Sequence, residues 1–280
     1  MKLQDKFREL QREGGALLAT NFYNFETAKG IAMAAAGLEM PVILQASPAS
    51  IRYMGPGVTV AIGRSVLDHF GVEGWLHLDH AHDSDLIKTC LDAGFDSVMI
   101  DASEQAVEDN ISMTRSVVQM ARAYEANVEA ELGYVAKLGQ SQEKAGFTRP
   151  EQAKQFVEET GIDALAVAIG SAHGFYDREP NLDLERLKEI HETVDVALVL
   201  HGGSGIPVAQ LQEGIRRGIR KINVATELKD RFMGALQEEL HDNTEIDLRK
   251  VFPVATEKLA ELVREKLEIV KESTRDTSRS

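Results

Sequence analysis

Three apolar runs of the chain end at or near a histidine. His80 closes the run GWLHLDH, His201 closes ALVLH, and His173 follows the run ALAVAIG by three residues. Three histidines with one open coordination position are the ligand set of a catalytic zinc site. A single histidine in such a place would more simply be a hydrogen-bonded polar residue. The repetition after three separate runs favours a metal site with His80, His173 and His201 as ligands.

Asp79 lies directly beside His80 and could do a different kind of chemistry. A carboxylate that adjoins a metal site without being needed for coordination is placed to move protons. The alternative is that Asp79 orients a histidine from behind. Of the other histidines in HLDHAHD, we predict that His77 is buried and hydrogen-bonded, and that His82 lies in a solvated loop.

The elements that must position these residues are short apolar runs separated by amphipathic, helix-period stretches. The runs span residues 16–22, 41–47, 74–80, 97–103, 127–133, 164–170, 197–203 and 221–227. Eight strands, each followed by a helix, predict an α/β fold: a single (β/α)8 TIM barrel over residues 1–280, with additional C-terminal helices. Residues 271–280 are expected to be a frayed tail. A doubly wound sheet is the competing layout, but it usually has fewer strand–helix units.

The predicted barrel makes the scattered polar residues neighbours, because barrel active sites gather at the C-terminal ends of the strands. This is the argument from the residues for an enzyme. The turn HGGSG after the seventh run contains small residues, so its backbone N–H groups can approach an anion closely. Barrels frequently bind phosphate in the loops after strands 7 and 8. No Walker or dinucleotide-binding fingerprint is present.

Composition limits the possible partners and location. The chain has 280 residues, 43% of them hydrophobic, and a formal net charge of −14. Such a charge repels nucleic acid and anionic membranes, so we expect neither as a partner. A single cysteine, Cys90, cannot form an intramolecular disulfide, which fits a reducing compartment. No apolar signal core follows the polar start of the sequence, and we expect a cytoplasmic protein.

Five motifs resemble, in order, those of the class II, metal-dependent ketose-bisphosphate aldolases, the family that includes fructose-1,6- and tagatose-1,6-bisphosphate aldolases. They are DHAHDSDLIKTCLDAGFDSVMIDAS, NVEAELG, TGIDALAVAIGSAHGFY, LVLHGGSGIP and KINVATELK. The resemblance covers nearly the whole chain. It implies reversible aldol cleavage of a phosphorylated ketose to dihydroxyacetone phosphate and an aldehyde, with one Zn²⁺ per subunit and a homodimeric or homotetrameric assembly.

The resemblance also assigns roles residue by residue. It implies that the three histidines named above bind zinc and that Asp79 carries the proton of the C4 hydroxyl. Asp101 and Glu131 match carboxylates near an alternative or second metal position, which a second divalent ion or a monovalent cation would occupy. The residues that match the pocket for dihydroxyacetone phosphate are Ser47, Gly174, Gly202, Ser204, Asn223 and Thr226.

The sequence departs from the family pattern in three places. The loop GYVAKLGQSQEKAGFT lacks the family's GG-x-ED motif, and its one carboxylate, Glu143, is the candidate for the second acid/base. HGFYD places Asp177 where fructose-type members have a lysine. Tagatose-type members also lack this lysine. In DASEQAV, Glu104 and Gln105 replace two histidines of the family pattern. These changes predict an aldehyde half that lacks phosphate, or is acidic or deoxy.

Two other functions stay open at this point. One is a non-catalytic, phosphosugar-binding accessory barrel subunit of an aldolase, and the other is a metal-dependent sugar-phosphate isomerase or epimerase that uses the same enediolate. The intact Asp79 and three histidines favour the aldolase. That chemistry needs no Schiff-base lysine, and Lys221 is expected at the start of its strand, on the far side of the barrel.

Overall fold

The eight strands close into a barrel in which each strand pairs in parallel with the next, and the last with the first. We describe a computed structural model of residues 1–133, 135 and 146–277. The strands are β1 (Leu17–Asn21), β2 (Val42–Ala46), β3 (Gly74–Ala81), β4 (Ser97–Ile100), β5 (Asn127–Leu132), β6 (Ala164–Val167), β7 (Ala197–Leu200) and β8 (Ile219–Val224). The predicted (β/α)8 barrel is confirmed.

Helices cover the barrel, most of them on the outside between consecutive strands. They are α1 (Leu3–Glu13), α2 (Phe25–Leu38), α3 (Pro48–Met54), α4 (Pro56–Phe70), α5 (Ser84–Ala93), α6 (Val107–Ala121), α7 (Pro150–Thr160), α8 (Leu184–Thr193), α9 (Val208–Arg216), α10 (Thr226–Leu240) and α11 (Leu248–Thr277). Of these, α1 precedes β1, and α10 and α11 follow β8. None of the helices in the described ranges is long and apolar enough to cross a membrane.

Local sequence signals set several helix ends. The Asp83 side chain accepts a hydrogen bond from the Asp85 N–H at the start of α5, and Pro150 occupies the first turn of α7. Proline suits this position because its missing N–H would have no partner there. Gly94 and Gly161 end these two helices in the left-handed conformation, which costs glycine little. Each loop therefore returns to the barrel within a few residues.

The barrel interior is apolar at its N-terminal end, where α1 closes it. Leu3, Phe7 and Leu10 of α1 are buried against interior residues that include Leu17 and Trp75. The Trp75 Nε1–H also donates a hydrogen bond of 3.0 Å to the Met1 carbonyl. A second, larger apolar layer lies between the strands and the surrounding helices. These two layers fix the barrel that carries the polar rim.

The middle of the barrel is polar on the side formed by β3, β4, β5 and β8. His77 Nδ1 lies 2.7 Å from Ser97 Oγ, which donates to Asn127 Oδ1 at 3.0 Å. Lys221 Nζ donates to Glu129 Oε2 at 2.8 Å, and both side chains are buried. The expected position of Lys221 was therefore wrong: β8 begins at Ile219, so Lys221 lies inside the barrel rather than at its far end.

The C-terminal helices pack against α2 and against each other. α11 contacts α2 and α10 along its length, and Val263, Leu267 and Val270 are buried. The last helix continues to Thr277, so residues 271–277 are helical where a frayed tail was expected. Residues 278–280 lie outside the described part of the chain.

Candidate active site and metal centre

The three histidines from separate strand ends meet at the C-terminal rim of the barrel. His80 is near the end of β3, His173 is in the loop after β6, and His201 follows β7 directly. The ring centroids of His80 lie 4.8 Å from His173 and 4.6 Å from His201, and those of His173 and His201 lie 5.7 Å apart. The rings are close enough to share one ion.

His80 reaches this cluster because β3 is irregular at its end. Side chains alternate between the two faces of a strand, so Asp79 and His80 would normally point in opposite directions. The pairing of β3 with β4 shifts register between Leu78 and Ala81, and His80 has a φ of 52°. A non-glycine residue in this region is uncommon and is often found at functional sites. The irregularity allows two adjacent side chains to serve the same rim.

Glu131 completes a set of four converging donors. One nitrogen or oxygen atom from each of Glu131, His80, His173 and His201 lies within 4.8 Å of the others. Glu131 Oε2 is buried without a hydrogen-bond partner, and burial raises the pKa of this carboxyl to about 8. A buried carboxyl oxygen that lies without a hydrogen-bond partner beside imidazole nitrogens fits a divalent cation, and this donor set suits zinc.

Asp101 lies behind His80 rather than among the converging donors. Its Oδ2 is 2.8 Å from His80 Nδ1, and its Oδ1 accepts a hydrogen bond of 2.7 Å from Ser103 Oγ. Burial would raise the pKa of Asp101, but its hydrogen bond and charge interaction with His80 lower it overall. The other ring nitrogen, His80 Nε2, then faces His201 Nδ1 at 2.9 Å. Asp101 is thus placed to orient His80.

Asp79 is held by two amides. Its carboxylate oxygens accept hydrogen bonds from Asn21 Nδ2 at 3.2 Å and from Asn223 Nδ2 at 3.3 Å. Gln45 Nε2 in turn donates to Asn21 Oδ1 at 3.1 Å. Burial would raise the pKa of Asp79, but charge interactions with His80, His201 and Lys221 lower it overall. The result is an ionised, oriented carboxylate beside the histidine cluster.

Four of the candidate phosphate-binding residues lie on the loop after β7, near the end of β8 and at the start of α10, and these segments are joined by hydrogen bonds. The Gly203 N–H donates to the Asn223 carbonyl at 2.9 Å, and Ser204 Oγ accepts from the Glu227 N–H at 3.3 Å. Thr226 opens α10, whose N-terminus has no side-chain cap. A helix N-terminus of this kind favours an anion.

The other two candidates lie after different strands. Gly174 follows β6 and has a φ of 100°, next to His173 in the chain. Ser47 follows β2, and its Oγ accepts from the Ser50 N–H at 3.3 Å as the N-cap of α3. Glu143, the candidate for the second acid/base, lies outside the described residues.

Two adjoining cavities open beside the donors. The smaller has a volume of about 150 Å³ and is lined by His80, Glu104, Glu131 and His173 among others. The larger, of about 650 Å³, contains Arg149 and Arg186 in its wall. Ser103 lines both cavities. Space for a substrate therefore extends from the donors toward α6 and α7.

Four residues that take part in this arrangement were not identified from the sequence as site residues. Glu129 and Gln45 lie inside the barrel, Asn21 holds Asp79, and Tyr176 accepts from the Ala172 N–H at 2.9 Å and donates to the Gly202 carbonyl at 2.8 Å. A signal for Glu129 is available in the sequence, because it is two residues from Glu131 and so shares its face of the strand.

Comparisons with known proteins identify the family of this chain and similar folds. The model of the family described as fructose-bisphosphate aldolase class-II matches residues 1–275. The D-tagatose-1,6-bisphosphate aldolase subunit GatY of Klebsiella oxytoca is 43% identical over 237 residues, which are 83% of this chain and 84% of that protein. The crystal structure of the YdjI aldolase from Escherichia coli K12 has a TM-score of 0.86 and 31% identity, covering 96% of each chain. The fructose-bisphosphate aldolase of Campylobacter jejuni, with a TM-score of 0.81, 24% identity and coverage of 96% and 94%, supports the fold alone.

Proposed function

This chain belongs to the class II fructose-bisphosphate aldolase family, and from that premise we propose that it cleaves a phosphorylated ketose reversibly to dihydroxyacetone phosphate and an aldehyde. The family consists of lyases that are in general zinc-dependent. The observation that carries the proposal is the meeting of His80, His173 and His201 beside the oriented carboxylate of Asp79. In this proposal the three histidines hold zinc, and Glu131 is a fourth donor or part of a second cation position.

A divalent ion held by these donors would act as a Lewis acid toward the ketose carbonyl and offset the negative charge that develops on the enediolate. Asp79 would accept the proton of the C4 hydroxyl during cleavage and return it to the aldehyde oxygen during synthesis. Asn21 and Asn223 hold the carboxylate by one oxygen each. Their amides keep the Asp79 carboxylate oriented, which a proton acceptor requires.

The loops after β7 and β8 are proposed to bind the phosphate of the dihydroxyacetone phosphate half. Gly202 and Ser204 lie on the loop after β7, Asn223 lies near the end of β8, and Thr226 opens α10. A backbone hydrogen bond from the Gly203 N–H to the Asn223 carbonyl connects the loop after β7 to β8. Small residues let backbone N–H groups approach the anion, and the uncapped start of α10 favours negative charge. Gly174 and Ser47 are proposed as further contacts.

We propose that the aldehyde half of the substrate extends from the smaller cavity toward the larger one. Ser103 lines both cavities. Glu104 lines the smaller cavity and Arg149 and Arg186 line the larger, so the two ends of this space differ in charge. The relative from Klebsiella oxytoca is named for tagatose-1,6-bisphosphate, which is therefore the first substrate to test. A ketose 1-phosphate with an uncharged or acidic tail is the second.

A direct assay tests the proposal. Purified protein with zinc is given a panel of ketose 1-phosphates and 1,6-bisphosphates, and dihydroxyacetone phosphate is detected with a coupled dehydrogenase, with and without chelator. Zinc-dependent release of the triose phosphate from one member is expected. Cleavage that a chelator leaves intact would contradict the metal mechanism, and zinc binding without cleavage of any substrate would favour an accessory subunit.

The role of Asp79 has its own test. Asp79→Asn is expected to bind zinc normally and to lose about 10²- to 10⁴-fold in kcat, the usual contribution of a general acid/base. Asp230→Asn, an exposed change on α10, serves as the matched control with full activity. Unchanged turnover in Asp79→Asn would remove this residue from the proposed role.

The assembly and the location are proposed from the family. We expect a cytoplasmic homodimer or homotetramer with no nucleic acid or membrane partner, and light scattering of the purified protein measures the subunit number. A stable monomer with full activity would contradict the assembly.

A further inference from the structure

A buried chain of charged side chains lies directly beneath one of the candidate ligands. Glu129 Oε1 is 2.8 Å from His201 Nε2, and Glu129 Oε2 accepts a hydrogen bond of 2.8 Å from Lys221 Nζ. The side chains of His201, Glu129 and Lys221 are exposed by 0%, 1% and 1%. They come from the residue after β7, from β5 and from β8, so barrel closure alone brings them together.

Packing does not account for this ion pair. Removing two charges from water carries a large desolvation cost, and replacing a buried pair with apolar side chains is often neutral or stabilising. The same barrel fills other interior positions with Leu17, Ala19 and Val199. The pair therefore calls for a role that an apolar pair could not perform.

That role follows from which atoms can donate and which can accept a hydrogen bond. An ionised carboxylate only accepts hydrogen bonds, so the Nε2 of His201 must carry the proton that faces Glu129. A neutral imidazole then has its lone pair on Nδ1. His201 Nδ1 is the atom that faces the other donors, at 2.9 Å from His80 Nε2 and 3.4 Å from Glu131 Oε2.

We propose that Lys221 and Glu129 form a positioning pair that fixes the tautomer and the ring orientation of His201, so that Nδ1 is ready to bind the metal ion. Lys221 Nζ donates to one oxygen of Glu129, and the other oxygen accepts the N–H of His201 Nε2. The inference rests on the proposed metal site. His80 has a matching arrangement, because Asp101 Oδ2 contacts its Nδ1 and its Nε2 faces the cluster. Metal-bound histidines commonly have such a carboxylate on the second nitrogen, and its loss typically lowers metal affinity 10- to 100-fold.

The first test needs no variant. In metal-free protein labelled with ¹⁵N-histidine, long-range ¹H–¹⁵N spectra report which ring nitrogen of each histidine is protonated. We expect His201 to be protonated on Nε2, with its signals assigned by their loss in His201→Gln. A His201 ring protonated on Nδ1 would overturn the proposal.

The second test separates positioning from structure with the double variant Glu129→Met/Lys221→Met, which replaces the ion pair with an apolar pair. No uncompensated charge is left, so the double variant is expected to fold with stability close to that of the wild type in urea denaturation. Without Glu129, no carboxylate accepts the proton on His201 Nε2, so the ring is expected to lose its fixed tautomer and orientation. Zinc affinity, measured by competition with a chromogenic chelator, should fall about 10- to 100-fold.

A matched control lies in the same polar interior. Ser97→Ala removes the hydroxyl that contacts His77 and Asn127 without touching Glu129, Lys221 or His201, so it should leave zinc affinity and the His201 tautomer unchanged. A double variant that binds zinc as tightly as the wild type would overturn the positioning role. Wild-type protein that binds no zinc would instead contradict the proposed function, so the two failures are distinguishable.

Discussion

Single residues at the rim combine unusual backbone conformations with specific contacts. Asp79 and His80 are adjacent in the chain, yet both serve the rim because His80 has a φ of 52° where β3 changes register. Gly202 has a φ of 67° beside His201, and its backbone passes close to the loop that carries His173. The site therefore depends on backbone geometry as much as on the identity of its ligands.

Gly202→Ala tests this dependence. A Cβ at this position would lie 2.2 Å from the Ala172 carbonyl oxygen, so the loops after β6 and β7 would have to separate. We expect a loss of more than about 2 kcal/mol in the free energy of unfolding, since positive-φ strain alone costs about 1 kcal/mol or more, together with weaker zinc binding. Urea denaturation and chelator competition measure the two effects.

Gly161→Ala is the matched control for this change. Gly161 has a φ of 69° but no atom within 4 Å of the added Cβ, so the control carries the backbone strain without the clash. Equal losses in the free energy of unfolding in the two variants would show that the clash with the Ala172 carbonyl does not affect stability.

At the scale of elements, Tyr176 links the loop after β6 to the loop after β7. Its hydroxyl accepts from the Ala172 N–H at 2.9 Å and donates to the Gly202 carbonyl at 2.8 Å. The two linked segments are those that carry His173 and His201. This side chain therefore connects two of the three candidate ligands through their backbones.

Tyr176→Phe removes both hydrogen bonds and keeps the ring. We expect a loss of about 1–3 kcal/mol in stability, because the Ala172 N–H and the Gly202 carbonyl lose their partner, and a measurable fall in zinc affinity. Tyr124→Phe, which removes an exposed hydroxyl bonded to Asp92, should change neither quantity by a comparable amount. Unaltered zinc affinity in Tyr176→Phe would limit its role to stability.

The helix α1 acts at the opposite end of the barrel and is expected to affect stability alone. Leu10→Ala, at a residue that is 6% exposed within the interior apolar cluster, should cost about 2–5 kcal/mol, as large-to-small core changes do. Leu240→Ala, at a residue that is 48% exposed, is the control and should cost far less. The kcat of folded Leu10→Ala protein should match the wild type; a lower kcat would indicate coupling between the two ends of the barrel.

At the scale of the whole molecule, the polar interior of the barrel couples stability to pH. Burial lowers the pKa of His77 well below its usual value of 6.5, and the nearby Lys221 adds to this effect while Glu129 opposes it. His77 is therefore neutral in the folded protein and takes up a proton on unfolding at low pH. The resulting loss of stability begins as the pH falls below 6.5, where the unfolded chain binds a proton at His77, and it grows until the pH reaches the lower pKa of the folded state.

His77→Gln should reduce this dependence. In urea denaturation of metal-free protein between pH 8 and pH 5, the wild type should lose more stability toward acid than the variant does. His241→Gln, at a side chain that is 83% exposed, should keep the wild-type slope. Parallel curves for the wild type and His77→Gln would assign the acid sensitivity to other interior groups.

The sequence by itself determined the barrel and the histidines of the cluster. Eight apolar runs with helix-period segments between them predict a (β/α)8 fold, because a doubly wound sheet usually has fewer strand–helix units. Residues at the ends of those runs, among them Asp79, His173 and His201, then had to share one rim. The start of α5 and the glycine that ends α7 were also readable, since capping depends on neighbouring residues in the chain.

Only the tertiary structure decided how those residues are held. Glu129, Lys221 and His201 are far apart in the chain, and their contacts depend on strand register and on which face each side chain occupies, which a shift of one residue reverses. For this reason the interior position of Lys221, the amides that hold Asp79, and the place of Asp101 behind His80 were not predictable. The sequence predicted how HLDHAHD divides among an interior histidine, a proposed proton carrier, one candidate ligand and a loop. It did not predict the irregularity of β3 that lets the adjacent Asp79 and His80 serve the same rim.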